Sequence, residues 1–247
     1  MEDQEILRYK DIVLRGSDLD VLEGPCFLND QIIGFYFTYL SSLCNQNDVL
    51  FVPPSVSFWL ANCDVDSRHD AVEPLNFPRK HVIVFTVNDS DGGESGTHWS
   101  ILIYDRSMNS FIHLDTMEGM NHDHAFKLYD SVKDFVGKAP VSMSSTLQSS
   151  SQKRKNKKKD VAKFAAKSGC AAAELSFKDC KASQQTNGYD CGIYVMAIAK
   201  TICECYFSRK SSQDVDWLSS VQKHIDASVE VTFRNEVMEL IQDLRKN

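Results

Sequence analysis

The 247-residue chain has no apolar run approaching the ~20 residues that a membrane-spanning helix needs. Its opening, from Met1 to Lys10, is acidic and mixed rather than basic and then apolar, so no secretory signal is expected. That places the expectation in the cytoplasm and/or nucleus, away from membranes. None of the eight cysteines forms a Cys-x-x-Cys pair, which excludes zinc-ribbon spacing and a thioredoxin-type redox motif. No other cluster has metal-ligand spacing, and no Gly-rich phosphate cradle is present. The run Asp91-Gly92-Gly93-Glu94-Ser95-Gly96 is acidic and precedes a strand-like segment, so it reads as a flexible lip. Neither a metal nor a cofactor is expected. A basic excess is also missing: the net charge of −7 argues against a chain that binds nucleic acid throughout. No internal repeat is evident.

Apolar residues at 43% and charged residues at 25% are ordinary for a globular protein, and the length suits one large domain or two small ones. With no secretory context, the default state of the cysteines is reduced, mostly as buried small hydrophobes. Charge is unevenly spread. Residues 153–159, from Lys153 to Lys159, carry six positive charges, so the −7 total is the balance of a body at −13 and this one run. It follows a serine-rich stretch with little to bury, so residues 139 to about 172 read as a disordered or weakly helical insertion in a single domain spanning 1–247. The basic run itself reads as a solvated loop, a nuclear-localisation signal or a polyanion contact.

Outside the insertion, helix and strand signals alternate. Ile6 to Leu14 suits one or two short strands. Asn29 can cap a helix whose apolar positions Ile32, Ile33, Tyr36, Phe37, Leu40 and Leu43 share one face. A short helix is expected over Ser55–Asn62, strands over His81–Val87, His98–Tyr104, Ser110–Leu114 and Leu175–Phe177, and a helix marked by Ala125, Leu128, Val132, Phe135 and Val136. A long apolar helix over about Cys191–Phe207 and two C-terminal helices follow, the last with Phe233, Val237, Leu240, Ile241 and Leu244 on one face. Strands grouped between helices indicate an α+β fold.

Two places carry chemistry. A hairpin centred between Arg106 and Ser107 would set His98 opposite Asp115 on one face, the arrangement that orients an imidazole as a general base. Chance alignment competes with this reading, because the chain has seven histidines and 34 acidic residues. His113, for example, shares a strand with Asp115. The second place is the run Gln184 to Met196. Asn187-Gly188 signals a turn, and the apolar helix after it puts Cys191 in a first helical turn, with Asp190 as a possible cap. Helix N-terminal amides favour a thiolate, and Gly192 would leave room for a substrate backbone. The competing reading is a buried helix cysteine. Gln185 could add its side-chain amide to the Cys191 N–H as an oxyanion hole.

His98-Trp99-Ser100, Asp115, and Gln185 followed by Asn187-Gly188-Tyr189-Asp190-Cys191-Gly192 resemble the Ulp/sentrin-specific cysteine protease family in order and spacing. Phe27-Leu28-Asn29-Asp30 resembles that family's W-L-N-D segment, with Phe27 replacing the tryptophan. The resemblance runs from about Ile6 to the C-terminal helix, interrupted by the insertion. It implies a papain-like fold with a central mixed sheet flanked by helices, and cleavage after the C-terminal Gly-Gly of a ubiquitin-like modifier. It also implies catalytic roles for Cys191, His98, Asp115 and Gln185, and substrate contacts by Trp99, Phe27 and Asp30. The segment Leu7–Asp30, Glu73-Pro74-Leu75-Asn76 and Gly96-Thr97-His98-Trp99-Ser100 look most like the deneddylase branch, whose members act on the NEDD-eight/RUB modifier. The partners implied are that modifier and its conjugates such as cullins, with the enzyme a monomer. A SUMO protease, a non-catalytic modifier-binding module and an accessory polyanion-binding function through Lys153–Lys159 stay open as alternatives.

Overall fold

The computed structural model describes residues 3–44, 48–90, 96–137, 174–207 and 216–246. The basic run and its insertion, Cys170, and most of the acidic lip before His98 lie outside the described residues. A two-stranded antiparallel hairpin, β1 (Glu5–Tyr9) and β2 (Ile12–Arg15), leads into α1 (Gly16–Glu23) and α2 (Asp30–Leu43). Next come β3 (Val49–Phe51), α3 (Pro54–Asn62) and α4 (Val65–Val72), then β4 (Val82–Asn88), β5 (Trp99–Asp105) and β6 (Ser110–Asp115). The chain continues through α5 (His122–Val132), β7 (Ser176–Lys181), α6 (Cys191–Phe207), α7 (Trp217–His224) and α8 (Val229–Lys246).

The five longer-range strands form one mixed sheet in the order β3-β4-β5-β6-β7, with parallel outer pairs and antiparallel inner ones. Its three central strands are buried on both faces, which is why their sequences are continuous apolar runs rather than alternating ones. Val82, Val84, Ile101, Ile103, Ile112 and Leu114 face the layer that includes α2 and α6. Ile83, Phe85, Leu102, Tyr104 and Phe111 face α3 and α5. The expected α+β architecture, a mixed sheet flanked by helices, is what the chain adopts.

Several local expectations need correcting. The strand expected over Leu175–Phe177 runs over Ser176–Lys181, where Lys178, Asp179 and Lys181 face solvent, as an edge strand allows. The helix expected to reach Val136 ends at Val132 and tightens into a 3₁₀ turn over Lys133–Phe135. The β5–β6 ladder pairs Asp105 with Ser110 and Ile101 with Leu114, so its turn is centred one residue later than expected. The cause is Asp105, whose Oδ1 accepts from the Ser107 and Met108 amides at 2.8 and 3.1 Å and nucleates an Asx-type turn. Every cross-strand partner moves by two residues, which preserves the face of each side chain. His98 is therefore diagonal to Asp115 rather than directly opposite it. The expectation of reduced cysteines also fails at one pair. Cys44, at the end of α2, and Cys203, in α6, are joined by a disulfide with their Cα atoms 6.1 Å apart, because the two helices pack side by side.

Asp105 also ties the sheet to the C-terminal helices: its Oδ2 accepts from the indole N–H of the fully buried Trp217 at 2.6 Å. A Trp217→Phe variant keeps most of the apolar area and strands this buried carboxylate oxygen. The expected loss of unfolding free energy is about 1–3 kcal/mol, read from urea denaturation.

Candidate active site

The start of β5 and the end of β6 lie side by side at one end of the central strands, and the side chains there define a polar, buried site. His98 immediately precedes β5. Its backbone is fixed on both sides: the amide donates to Asp89 Oδ1 at 2.9 Å, and the carbonyl accepts from Asn88 and Asn121 side chains at 3.1 and 3.3 Å. The ring Nε2 lies 2.6 Å from Asp115 Oδ1, with the two side chains 1% and 6% exposed. Asp115 closes β6, and the chain then folds back over its carboxylate. Oδ1 also accepts from the Met117 amide and Oδ2 from the Asn121 amide, each at 2.9 Å.

These contacts set the charge state. Burial raises the Asp115 pKa, but hydrogen bonds from His98, Met117 and Asn121 outweigh it and hold the carboxyl below its ordinary value. At His98 burial opposes the imidazolium, while hydrogen bonds to Asp115 and Cys191 and the charges on both prevail and raise its pKa to about 9. Nδ1, the ring nitrogen not used by Asp115, is buried without a partner of normal hydrogen-bond geometry. Cys191 is the other group interacting with this ring.

Cys191 is the first residue of α6 and is 1% exposed. Two expectations about its neighbours change. Asp190 does not cap the helix with its side chain. Its carbonyl accepts the Ile193 and Tyr194 amides, while its carboxylate is engaged by Arg234 and Asn187. Gly192 does not hold space for substrate either. A Cβ there would come within 2.9 Å of Leu28 Cβ, so its missing side chain is what lets the segment before α2 seat against α6.

The remaining residues singled out from the sequence surround this centre. Gln185 lies in the β7–α6 loop, clamped to the chain just after β6. Its amide donates to the Thr116 carbonyl at 3.0 Å, its Oε1 accepts from Thr116 Oγ1 at 2.7 Å, and its Nε2 donates to the Asn187 carbonyl at 2.7 Å. Trp99, half-buried against the core, donates its indole N–H to the Leu28 carbonyl at 2.8 Å. Leu28 and Trp99 thus lock the Phe27–Asp30 segment to β5. Phe27 itself is 47% exposed, and Asp30, the first residue of α2, is exposed. Asn29 caps α2 by accepting the Ile32 amide at 3.0 Å and donates to buried Asp18 at 2.7 Å.

His113, the chance competitor for Asp115, belongs to a separate network. It contacts Asp179 Oδ1 at 2.7 Å and Ser100 Oγ at 2.9 Å, and His122 meets the other Asp179 oxygen at 2.8 Å. Asp89, Asn121, Thr116, Glu230 and Arg234 were not singled out from the sequence. Each acts across the fold with no periodicity or motif around it. Among the described residues no three His, Cys, Asp or Glu side chains are grouped to hold a metal, and no helix is long and apolar enough to cross a membrane.

Comparison with known proteins identifies the family. Residues 27–241 match the Ulp1 protease family, C-terminal catalytic domain. NEDD8-specific protease 1 of Arabidopsis thaliana is 34% identical over 249 residues, covering 98% of this chain and 95% of that protein. Sentrin-specific protease 8 of Homo sapiens is 32% identical over 216 residues, covering 85% and 86%. The C-terminal Ulp1 protease domain solved in complex with Smt3, the yeast ortholog of SUMO, superposes with a TM-score of 0.66 at 15% identity, over 99% of this chain and 89% of that one. That likeness establishes the fold. With the family match across most of the chain and relatives above 30% identity along nearly all of it, the protein belongs to the Ulp1 family of cysteine proteases.

Proposed function

We propose that Cys191, His98, Asp115 and Gln185 are the catalytic residues, and that the enzyme cleaves after the C-terminal Gly-Gly of a ubiquitin-like modifier of the NEDD-eight/RUB type. The observation that carries the catalytic assignment is the buried His98–Asp115 pair, whose imidazole also interacts with Cys191 and is raised to about 9. An imidazolium with that pKa stays protonated at neutral pH and can face a thiolate. The thiolate attacks the carbonyl carbon of the terminal glycine, and the carbonyl π pair moves onto oxygen. That oxyanion is met by the Cys191 amide, one of the helix's N-terminal donors without an intrahelical acceptor, and by the second amide hydrogen of Gln185. Collapse breaks the C–N bond as His98 gives its proton to the leaving amine. A thioester remains. Water then attacks it with neutral His98 accepting the water proton, and the thiolate leaves.

Modifier choice rests on the 34% identity to a protease named for NEDD8 and on the segments that look like the deneddylase branch. Trp99, pinned to Leu28, supplies a wall for an extended tail, with Phe27 at its mouth and Asp30 beside it. The test is covalent labelling by NEDD8, SUMO and ubiquitin carrying a C-terminal electrophile. The expected result is preferential labelling by NEDD8, abolished by Cys191→Ala. Labelling by SUMO alone overturns the modifier assignment, and labelling that survives Cys191→Ala overturns the nucleophile.

The ion pair sets a pH dependence. The raised His98 pKa stabilises the fold fully below the ordinary histidine value of about 6.5, and that contribution is lost as pH rises through about 9. Asp115 behaves oppositely: its stabilisation holds above the ordinary carboxylate pKa and fades as pH falls. The kcat/KM profile is expected to decline on the alkaline side with an apparent pKa near 9. Asp115→Asn moves that decline to lower pH and slows turnover by about 10²-fold or more. An unchanged profile in this variant would refute the orienting role. Gln185→Ala is expected to lower kcat by about 10²–10³-fold with the Cys191 labelling site intact, measured on a fluorogenic modifier amide.

A further inference from the structure

α8 begins far from Cys191 in sequence, yet two of its residues, one helical turn apart, hold the loop that delivers Cys191. Glu230 has both carboxylate oxygens occupied. Oε1 accepts from the Thr186 amide at 2.6 Å and the Tyr194 hydroxyl at 2.9 Å; Oε2 accepts from Thr186 Oγ1 and from Asn187 Nδ2 at 3.1 Å. Asn187 in turn accepts the Tyr189 and Asp190 amides on its side-chain oxygen, each at 3.0 Å, and receives the Gln185 carboxamide on its backbone carbonyl. The loop before the nucleophile is therefore organised around one carboxylate from another helix.

Arg234 engages the far end of the same loop. Its Nε and one terminal nitrogen meet Asp190 Oδ1 at 2.8 and 2.7 Å, in a pair only 11% and 3% exposed. The other terminal nitrogen donates to the Val21 and Leu22 carbonyls at 3.0 Å each, and the first also donates to the Cys26 carbonyl at 2.7 Å. The guanidinium lies over the Tyr189 ring, 5.8 Å from its centroid. Gly24, at φ +70°, is the residue that admits it: a Cβ there would sit 3.1 Å from the guanidinium. One planar cation thus binds the residue before Cys191 to the chain that runs into Phe27–Asp30. Lysine, with three donors on a single nitrogen, cannot span these sites.

From this geometry we propose that Glu230 and Arg234 of α8 are positioning residues for the reaction. Glu230 sets the Thr186–Asp190 loop and the Gln185 carboxamide, and Arg234 sets the spacing between Cys191 and the Phe27–Asp30 segment. The proposal rests on Cys191 and Gln185 having the roles given above. It has a consequence that separates the two residues. Among the described residues the Glu230 carboxylate hydrogen-bonds the nucleophile loop and α6, so Glu230→Gln lowers kcat with KM little changed. Arg234 holds both walls, so Arg234→Met lowers kcat and raises KM, and Arg234→Lys does not restore either. A misplacement of about 1 Å can cost about 10²-fold, which is the size of kcat loss expected for both variants.

The experiment compares wild type, Glu230→Gln, Arg234→Met and Arg234→Lys, with Glu236→Ala as a control. Glu236 lies on α8 in an exposed pair with Lys200, 2.8 Å apart, and its loss is expected to leave turnover unchanged. Steady-state cleavage of a fluorogenic modifier amide gives kcat and KM. The rate of Cys191 alkylation by iodoacetamide against pH, followed by peptide mass spectrometry, reports the thiol's placement without any modifier present. The expected result is slower Cys191 alkylation, with a profile displaced to higher pH, in the Glu230 and Arg234 variants. Unchanged kcat and an unchanged alkylation profile in folded Glu230→Gln overturns the proposal, even should Arg234→Met fail to fold. A wild-type chain that cleaves no modifier would defeat the protease reading, and the alkylation profiles would still decide whether α8 places Cys191.

Discussion

Everything at this site depends on a charge pair that water does not reach. His98 and Asp115 are almost entirely buried, and two isolated ions so placed would cost several kcal/mol each in lost hydration. The fold offsets that cost with hydrogen bonds to the remaining acceptor positions. The β6–α5 turn supplies the Met117 and Asn121 amides to the carboxylate, and Asn121 reaches back with its carboxamide to the His98 carbonyl. Asp89, just past the end of β4, anchors the His98 amide. This end of the central strands is therefore a scaffold for one ion pair. Removing either partner leaves the other charged and unpaired in a dry place, so the arrangement resists drift in a way that an exposed pair would not.

Much of this was legible in the chain itself, for identifiable reasons. The central strands announced themselves because both faces are covered, leaving unbroken apolar runs. α2 and α6 were marked by a cap at Asn29 and a turn at Asn187-Gly188 followed by apolar periodicity. His98, Asp115, Gln185 and Cys191 stood out because their residue types and local settings suit one chemistry. What was not legible depends on geometry that no local pattern encodes. The two-residue shift of the hairpin comes from a side chain, Asp105, bonding to its own turn, and the shift was harmless to the His98–Asp115 contact only because it was even. Gly192 reads equally well as room for substrate or room for Leu28, and only the packed structure decides. Asp190 has the composition of a helix cap, but its partner lies 44 residues downstream on α8.

The two core layers divide the labour. The face carrying α2, α6 and α8 holds Cys191 and the loop before it, while the face carrying α3 and α5 supplies the turn around Asp115. At the strand ends between them, Cys191 from one layer meets His98 and Asp115 from the strands. Leu28, wedged at Gly192 and hydrogen-bonded through its carbonyl to Trp99, makes the entry to α2 part of the same joint. Four segments distant in sequence thus share one small volume.

The burial of both reacting side chains bears on what can reach them under the proposed function. With Cys191 and the His98 side chain each 1% exposed, a bulky peptide cannot lay its side chains across the sulfur. A polypeptide tail without side chains, as the proposed function requires, makes the smallest demand on the space around it. A Gly-Gly terminus meets that steric demand, and its own flexibility is then the cost: glycine loses more conformational freedom than any other residue on being fixed. Recognition of the folded body of a modifier would offset that loss by holding the tail near the channel before it is ordered. On this account the narrow site selects the tail, and discrimination between modifiers resides in the surface outside it.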